Sequence, residues 1–240
     1  MWLFLLACQM FYYGDDEMAQ VEMTPVVSGW NIGVNRAMAS TVKILIMSDK
    51  ETIGHGSGNL FNYLNDLFII TSSHVVDSNL NYMIQEQNGN TLSCRVIYND
   101  IGNDVAILIP YGKFNATISS PYLVNMQKDL KTKQMYYSGN PGELENLFIR
   151  GWVADSDHRR VVLQSFGWPG SSGSVVFDSA GRVVGVVTAI AVAHNSYEET
   201  SMPLAQIVLV NRLEVLPRKT VRRALMNEKK RVKSGNSSQR

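Results

Sequence analysis

Apolar residues along this chain come in short runs separated by turn residues, a pattern that predicts strands far more often than helices. "TVKILIM" (41–47) is one apolar, β-rich run. "GSGNLFNYLNDLFIITSSHVV" (56–76) predicts a hairpin with "LND" as its turn. "NYMIQEQNGNTLSCRVIY" (81–98) predicts a second, with an Asn-Gly turn, and "DVAILIP" (104–110) closes the set. Residues 111–131 hold Pro, Asn, Ser and Lys with little periodicity and suit a connection. Five further strands are predicted: "KQMYYSG" (133–139), "NLFIRGWVAD" (146–155), "RRVVLQSF" (159–166), "GSVVFD" (173–178) and "RVVGVVTAIAV" (182–192). "DSAG" forms the turn between the last two, and "LAQIVLVNRLEVL" (204–216) fits a strand followed by a helix. Many short strands at even spacing indicate barrels or a sandwich, and two antiparallel barrels side by side would leave a cleft between them. No internal repeat is visible.

Composition adds bounds. The 240 residues are 45% hydrophobic and 18% charged, which fits a globular protein with a real core. A net charge of +1 conceals an asymmetry: residues 218–240 contain nine Lys or Arg and one acid, leaving the remainder at −7. This stretch reads as a basic, solvated, disordered tail. It carries no interleaved aromatics to stack on bases, so no nucleic-acid partner is expected. Two cysteines, Cys8 and Cys94, exclude a disulfide framework and a Cys-based zinc site, and Cys94 reads as a small buried strand residue. Residues 1–37 form an N-terminal segment whose start, "MWLFLLACQM", is apolar but too short to span a bilayer. "LLAC" loosely matches a lipoprotein cleavage box with Cys8 lipidated; a truncated start or a plain apolar segment fits equally well. Location stays open: a secreted or lipid-anchored site follows if this is a signal remnant, and membrane association is expected only through this segment.

The stretch "GWPGSSGSVVFD" (167–178) sets the chemical question. It reads either as a turn leading into a strand or as a tight loop that presents Ser172 beside backbone amides aimed one way, as acyl transfer needs. A serine hydroxyl needs a base. Among four histidines, His74 in "IITSSHVVDS" ends an apolar strand that can hold it rigidly. His55, between glycines, reads as a loop residue, and His158 and His194 fall in polar stretches. Asp104, directly before an apolar run, is the acid best placed to be buried beside a partner; Asp77 and Asp100 lie in more polar surroundings.

"TSSHVVD", "NDVAIL" and "PGSSGSVVFDSAGRVVGVV" resemble, in order, the three motifs of trypsin-like serine peptidases of the chymotrypsin fold, nearest the bacterial HtrA and glutamyl-endopeptidase groups. "GHGSGNLF", "YSGNPG" and "SMPLA" match further family segments, so the resemblance spans about residues 38–215. It implies an all-β fold of two antiparallel six-stranded barrels, over 38–120 and 121–217, with a short C-terminal helix. It also implies a triad of His74 as base, Asp104 as its orienting acid and Ser172 as nucleophile. The Gly170 and Ser172 N–H groups would form the oxyanion hole.

Departures from the family are informative. Ser171 stands where animal digestive members have the Asp that pairs with a new N-terminus, so activation of that kind is not expected. Ser174 replaces the second glycine, as in glutamyl endopeptidases, but their Glu-recognising histidine falls on Val187. With Val187, Thr188 and Ala189 along the pocket wall and Phe166 near its base, the expected preference is a small or apolar residue before the scissile bond. No PDZ-like domain is expected after the barrel, and no cofactor or metal. The resulting reading is a serine endopeptidase acting on polypeptides. The alternative is a catalytically silent chymotrypsin-fold protein that binds a peptide or protein.

Overall fold

The computed structural model describes residues 32–48, 51–76, 80–114, 119–195 and 200–237. A helix, α1 (Ile32–Ser40), leads into six strands: β1 (Thr41–Ser48), β2 (Glu51–Tyr63), β3 (Asp66–Thr71), β4 (Asn81–Gln85), β5 (Thr91–Asp100) and β6 (Val105–Pro110). These pair antiparallel in the order β1–β4–β5–β6–β3–β2, and β2 pairs again with β1, so the first barrel is closed. A two-residue strand, β7 (Ser120–Pro121), adds parallel to β2. The second barrel contains β8 (Gln134–Gly139), β9 (Leu147–Ser156), β10 (Arg160–Gln164), β11 (Val175–Asp178), β12 (Val183–Asn195) and β13 (Thr200–Arg212). It closes in the order β10–β13–β12–β11–β8–β9. Closure leaves no free sheet edge around either ring. The expected double barrel is the observed one.

Strand periodicity explains why several predicted runs were continuously apolar. On β6, Ala106 and Leu108 fill the first barrel, while Val105 and Ile107 point between the barrels. On β11, Val176 fills the second barrel, while Val175 and Phe177 meet Phe61, Phe68 and Tyr122 in the shared core. Strands buried on both faces lose the apolar–polar alternation of half-exposed ones. Cys94 is a buried β5 residue whose thiol is pushed up to about 12 by burial, which leaves it inert.

Both termini of the described chain depart from expectation. α1 falls partly within residues 32–37, expected to belong to the N-terminal segment; the apolar start and Cys8 lie outside the described residues. Residues 218–237, expected as a disordered tail, form helix α2 (Arg218–Ser237) after a 3-10 turn at Leu213–Val215. The physical reason is a stripe of Val221, Ala224, Leu225 and Glu228 at helical spacing, which is buried against the body. Lys229 reaches Asp66 on the first barrel at 2.6 Å, and Arg95 of β5 lies 3.8 Å from Glu228. No helix among the described residues is long and apolar enough to cross a membrane.

Candidate active site

His74 sits in a 3-10 turn (Ser73–Val75) directly after β3. Val75 and Val76 are buried in the first-barrel core and anchor this turn from below, leaving the imidazole 47% exposed. Ser73 Oγ donates to Asn99 Oδ1 of β5 at 2.5 Å and fixes the turn from the side. Asp104 stands just before β6 with φ 51°, a left-handed conformation that aspartate tolerates better than most residues. Its carboxylate accepts the His74 backbone N–H at 2.9 Å and His74 Nδ1 at 2.9 and 3.1 Å. Partial burial pushes the Asp104 carboxyl upward, but bonds from the His74 ring and backbone and from the Ser73 backbone outweigh it and hold the group below its usual range. An ionised carboxylate only accepts, so the proton lies on Nδ1 and the Nε2 lone pair is free to act as a base.

The loop from Trp168 to Ser174 follows β10 and leads into β11. The N–H groups of Ser171, Gly173, Ser174 and Val175 donate to Trp168 O, Val187 O, Ser171 O and Asn59 Oδ1 at 2.9, 2.8, 3.1 and 2.9 Å. Those of Gly170 and Ser172 have no acceptor among the described residues. Both therefore remain available to an external oxyanion. Gly173 has φ 88°, and a Cβ there would lie 2.0 Å from Ser57 O, so both conformation and space require glycine. Asn59, buried between the barrels, also donates to Ser40 Oγ at 2.9 Å and so ties the serine loop to α1.

Ser172 is anchored across the barrel interface by its carbonyl, which accepts the Ser57 N–H of β2 at 2.8 Å. A Cβ on Gly56 would lie 2.7 Å from Val75, next to His74, and 3.4 Å from Ser172 O. The turns bearing His74 and Ser172 thus share β2 as a neighbour. Among the described residues no hydrogen bond joins His74 to Ser172. Asn211 of β13 donates to Asn103 O at 2.9 Å, bracing the Asp104 turn from the second barrel.

The remaining candidates separate. Asp100 accepts from Tyr98 and Asn103 and takes no part in the His74 pair, and His158 lies exposed after β9. Asp77 lies outside the described residues, and His194 falls on β12. His55, expected in a loop, is instead on β2, because the antiparallel ladder with β1 runs through both flanking glycines. Val187, expected on the pocket wall, is 1% exposed and faces the second-barrel core. The period of the strand turns it inward and leaves Thr188 partly accessible, and a bulge between Val187 and Ala189 breaks the alternation so that Ala189 is exposed rather than inward. Phe166 is half-exposed, and its carbonyl accepts the Tyr137 hydroxyl. Trp168, which the sequence did not single out, is also half-exposed and lies 3.6 Å from where a Cβ on Gly142 would stand. An aromatic between Gly167 and Pro169 was the available signal.

Two closed barrels with an Asp-bound histidine turn on the first and a serine loop with two open amides on the second define a chymotrypsin-type peptidase domain. The chain belongs to the family described as Trypsin-like peptidase domain, which matches residues 56–186. Among curated proteins it is 26% identical over 157 residues to a protein named Serine protease HtrA-like from Staphylococcus haemolyticus (strain JCSC1435). That match covers 55% of this chain and 24% of the relative, so the chain spans about a quarter of the relative's length. Among solved structures, the serine endoprotease from Yersinia pestis superposes with a TM-score of 0.64 at 19% identity, covering 83% of this chain and 67% of the other. That likeness is one of fold.

Proposed function

We propose that this protein is a serine endopeptidase that hydrolyses polypeptides through an acyl-enzyme, with Ser172 as nucleophile, His74 as base and Asp104 as its orienting acid. The observation that carries the reading is the pair of bonds from His74 Nδ1 to Asp104. They leave Nε2 as the nitrogen able to take the Ser172 proton as its Oγ attacks the scissile carbonyl. The carbonyl oxygen becomes anionic in the tetrahedral intermediate, and the Gly170 and Ser172 N–H groups are the donors assigned to it. His74 then returns the proton to the leaving amine, and water repeats the sequence on the acyl-serine.

None of Phe166, Thr188 and Ala189 carries a charge, and Trp168, two residues after Phe166, is a further half-exposed apolar side chain on the same loop. These support a small or apolar residue before the scissile bond. A peptide-library cleavage profile dominated by Glu, Lys or Arg at that position would reject this preference.

One observation favours the alternative, a silent fold that binds a peptide or protein: the lack of a hydrogen bond between His74 and Ser172 among the described residues. Bonds of this kind are often long before substrate arrives and tighten in the complex, so the endopeptidase reading stands ahead. A fluorophosphonate reacts only with an activated serine. Labelling of the wild-type chain that disappears in Ser172→Ala is expected; pure, folded protein that takes no label supports the binder.

A further inference from the structure

Two polar side chains of β2, His55 and Ser57, lie against the serine loop without a part in the chemistry above. Ser57 Oγ donates to Gly170 O at 2.7 Å and accepts the Asn140 N–H at 2.8 Å. His55 Nε2 lies 3.0 Å from Asn140 O. A carbonyl only accepts, so Nε2 carries the proton, in the neutral ring and the imidazolium alike. Two residues further on, the Gly142 N–H donates to Pro169 O at 2.9 Å. The 140–142 turn is therefore held from β2 on one side and holds the serine loop on the other.

This wiring fixes the direction of one amide. A trans peptide carries its C=O and N–H on opposite sides, and the described chain has no cis bonds. Tethering Pro169 O to Gly142 turns the Gly170 N–H the other way, where it meets no acceptor. Ser57 holds the next carbonyl, that of Gly170, and so keeps the following peptide from turning with it. Gly170 itself has φ 97°, and a Cβ there would stand 2.4 Å from Asn140 O and 2.8 Å from His55 Nε2. The ring edge and the Asn140 carbonyl pack directly on its bare Cα.

We propose that His55 and Ser57 are positioning residues for the oxyanion hole: they press the 140–142 turn against Pro169–Gly170 and so aim the Gly170 N–H before substrate arrives. The inference rests on the reading of Ser172 as the nucleophile. An oxyanion donor acts through being already oriented when charge develops, and ground-state peptide binding gains nothing from it. Loosening the clamp thus lowers kcat and leaves KM in place.

The test uses the full chain, a fluorogenic peptide that the wild type cleaves, and two inhibitors of the same sequence. One is a peptide boronic acid, whose boron bonds Ser172 Oγ and becomes a tetrahedral anion; the other is an unreactive peptide amide. Rates are normalised to sites titrated with fluorophosphonate, so partial misfolding does not count as lost turnover. Ser57→Ala and His55→Ala are each expected to lose roughly 10- to 100-fold in kcat, with KM changed less than about 3-fold. Boronate affinity falls with kcat, whereas amide affinity does not. His55→Gln, which keeps an N–H donor, recovers much of the loss. Wild-type kcat in both alanine variants, or equal weakening of boronate and amide, overturns the clamp while leaving the endopeptidase reading intact. A wild-type chain that neither takes label nor cleaves peptides overturns both.

Discussion

Asp104 concentrates several constraints in one residue: a left-handed backbone, partial burial and bonds to both the ring and the backbone of His74. Asp104→Asn would present an amide N–H₂ to Nδ1 and favour the wrong imidazole tautomer. A fall in kcat of about 10⁴-fold is expected, read against active-site titration. The carboxyl's folded pKa lies below its ordinary value, so its contribution to stability is complete above roughly pH 4 and is lost as pH falls through the ordinary and then the folded value. Denaturation midpoints measured from pH 6 to pH 3 should show wild type and Asp104→Asn converging as acid is added; a gap that widens would contradict the assignment. Gly173→Ala should destabilise by several kcal/mol, on the order of 2–5, because its Cβ meets the Ser57 carbonyl at a positive φ. The contact between His74 and Asp104 was legible because each stands in a short motif where polar residues meet an apolar run. His55 was not, since flanking glycines signal a turn in isolation, while here strand pairing with β1 overrides that local preference.

At the scale of elements, nearly every strand could be read from its apolar run, because closed barrels place one face of each strand indoors. The helices could be read only in part: the family resemblance implied the C-terminal helix, but not its extent over 218–237, and α1 was not foreseen. α2 carries eight Lys or Arg against one Glu, and its buried stripe amounts to Val221, Ala224 and Leu225 beside that acid, so charge outweighed periodicity. Arg212, at the end of β13, is charged and stands in the polar-flanked "VNRLEV", which carries no signal of burial, yet it is fully buried. Its guanidinium donates to Gln127 O at 2.6 Å, Asp157 O at 3.1 Å and Lys128 O at 3.3 Å, and pairs with Glu214. One planar fork thereby fastens the β9–β10 turn and the approach to β8 onto β13. Arg212→Ala strands those carbonyls and the acid, and a loss of about 3–5 kcal/mol is expected in chemical denaturation. Arg212→Lys should recover little of it, since an ammonium cannot span the same acceptors.

For the molecule as a whole, the two helices cross over. α1 precedes the first barrel but packs on β8 and β11 of the second, where Arg36 donates to Gly181 O. α2 follows the second barrel but lies against the first, through Arg95 and Asp66. Removing residues 218–240 exposes the seats of Val221 and Leu225, two side chains that each contribute about 1.5–3 kcal/mol when buried. A lower melting temperature is therefore expected from the truncated chain, and an unchanged one would show α2 to be an ornament. Because each half carries a strap fastened over the other, continuity of the polypeptide between them is not what keeps them together. A molecule nicked once within 111–119 should still migrate as one particle, come apart only in denaturant, and keep its serine reactive.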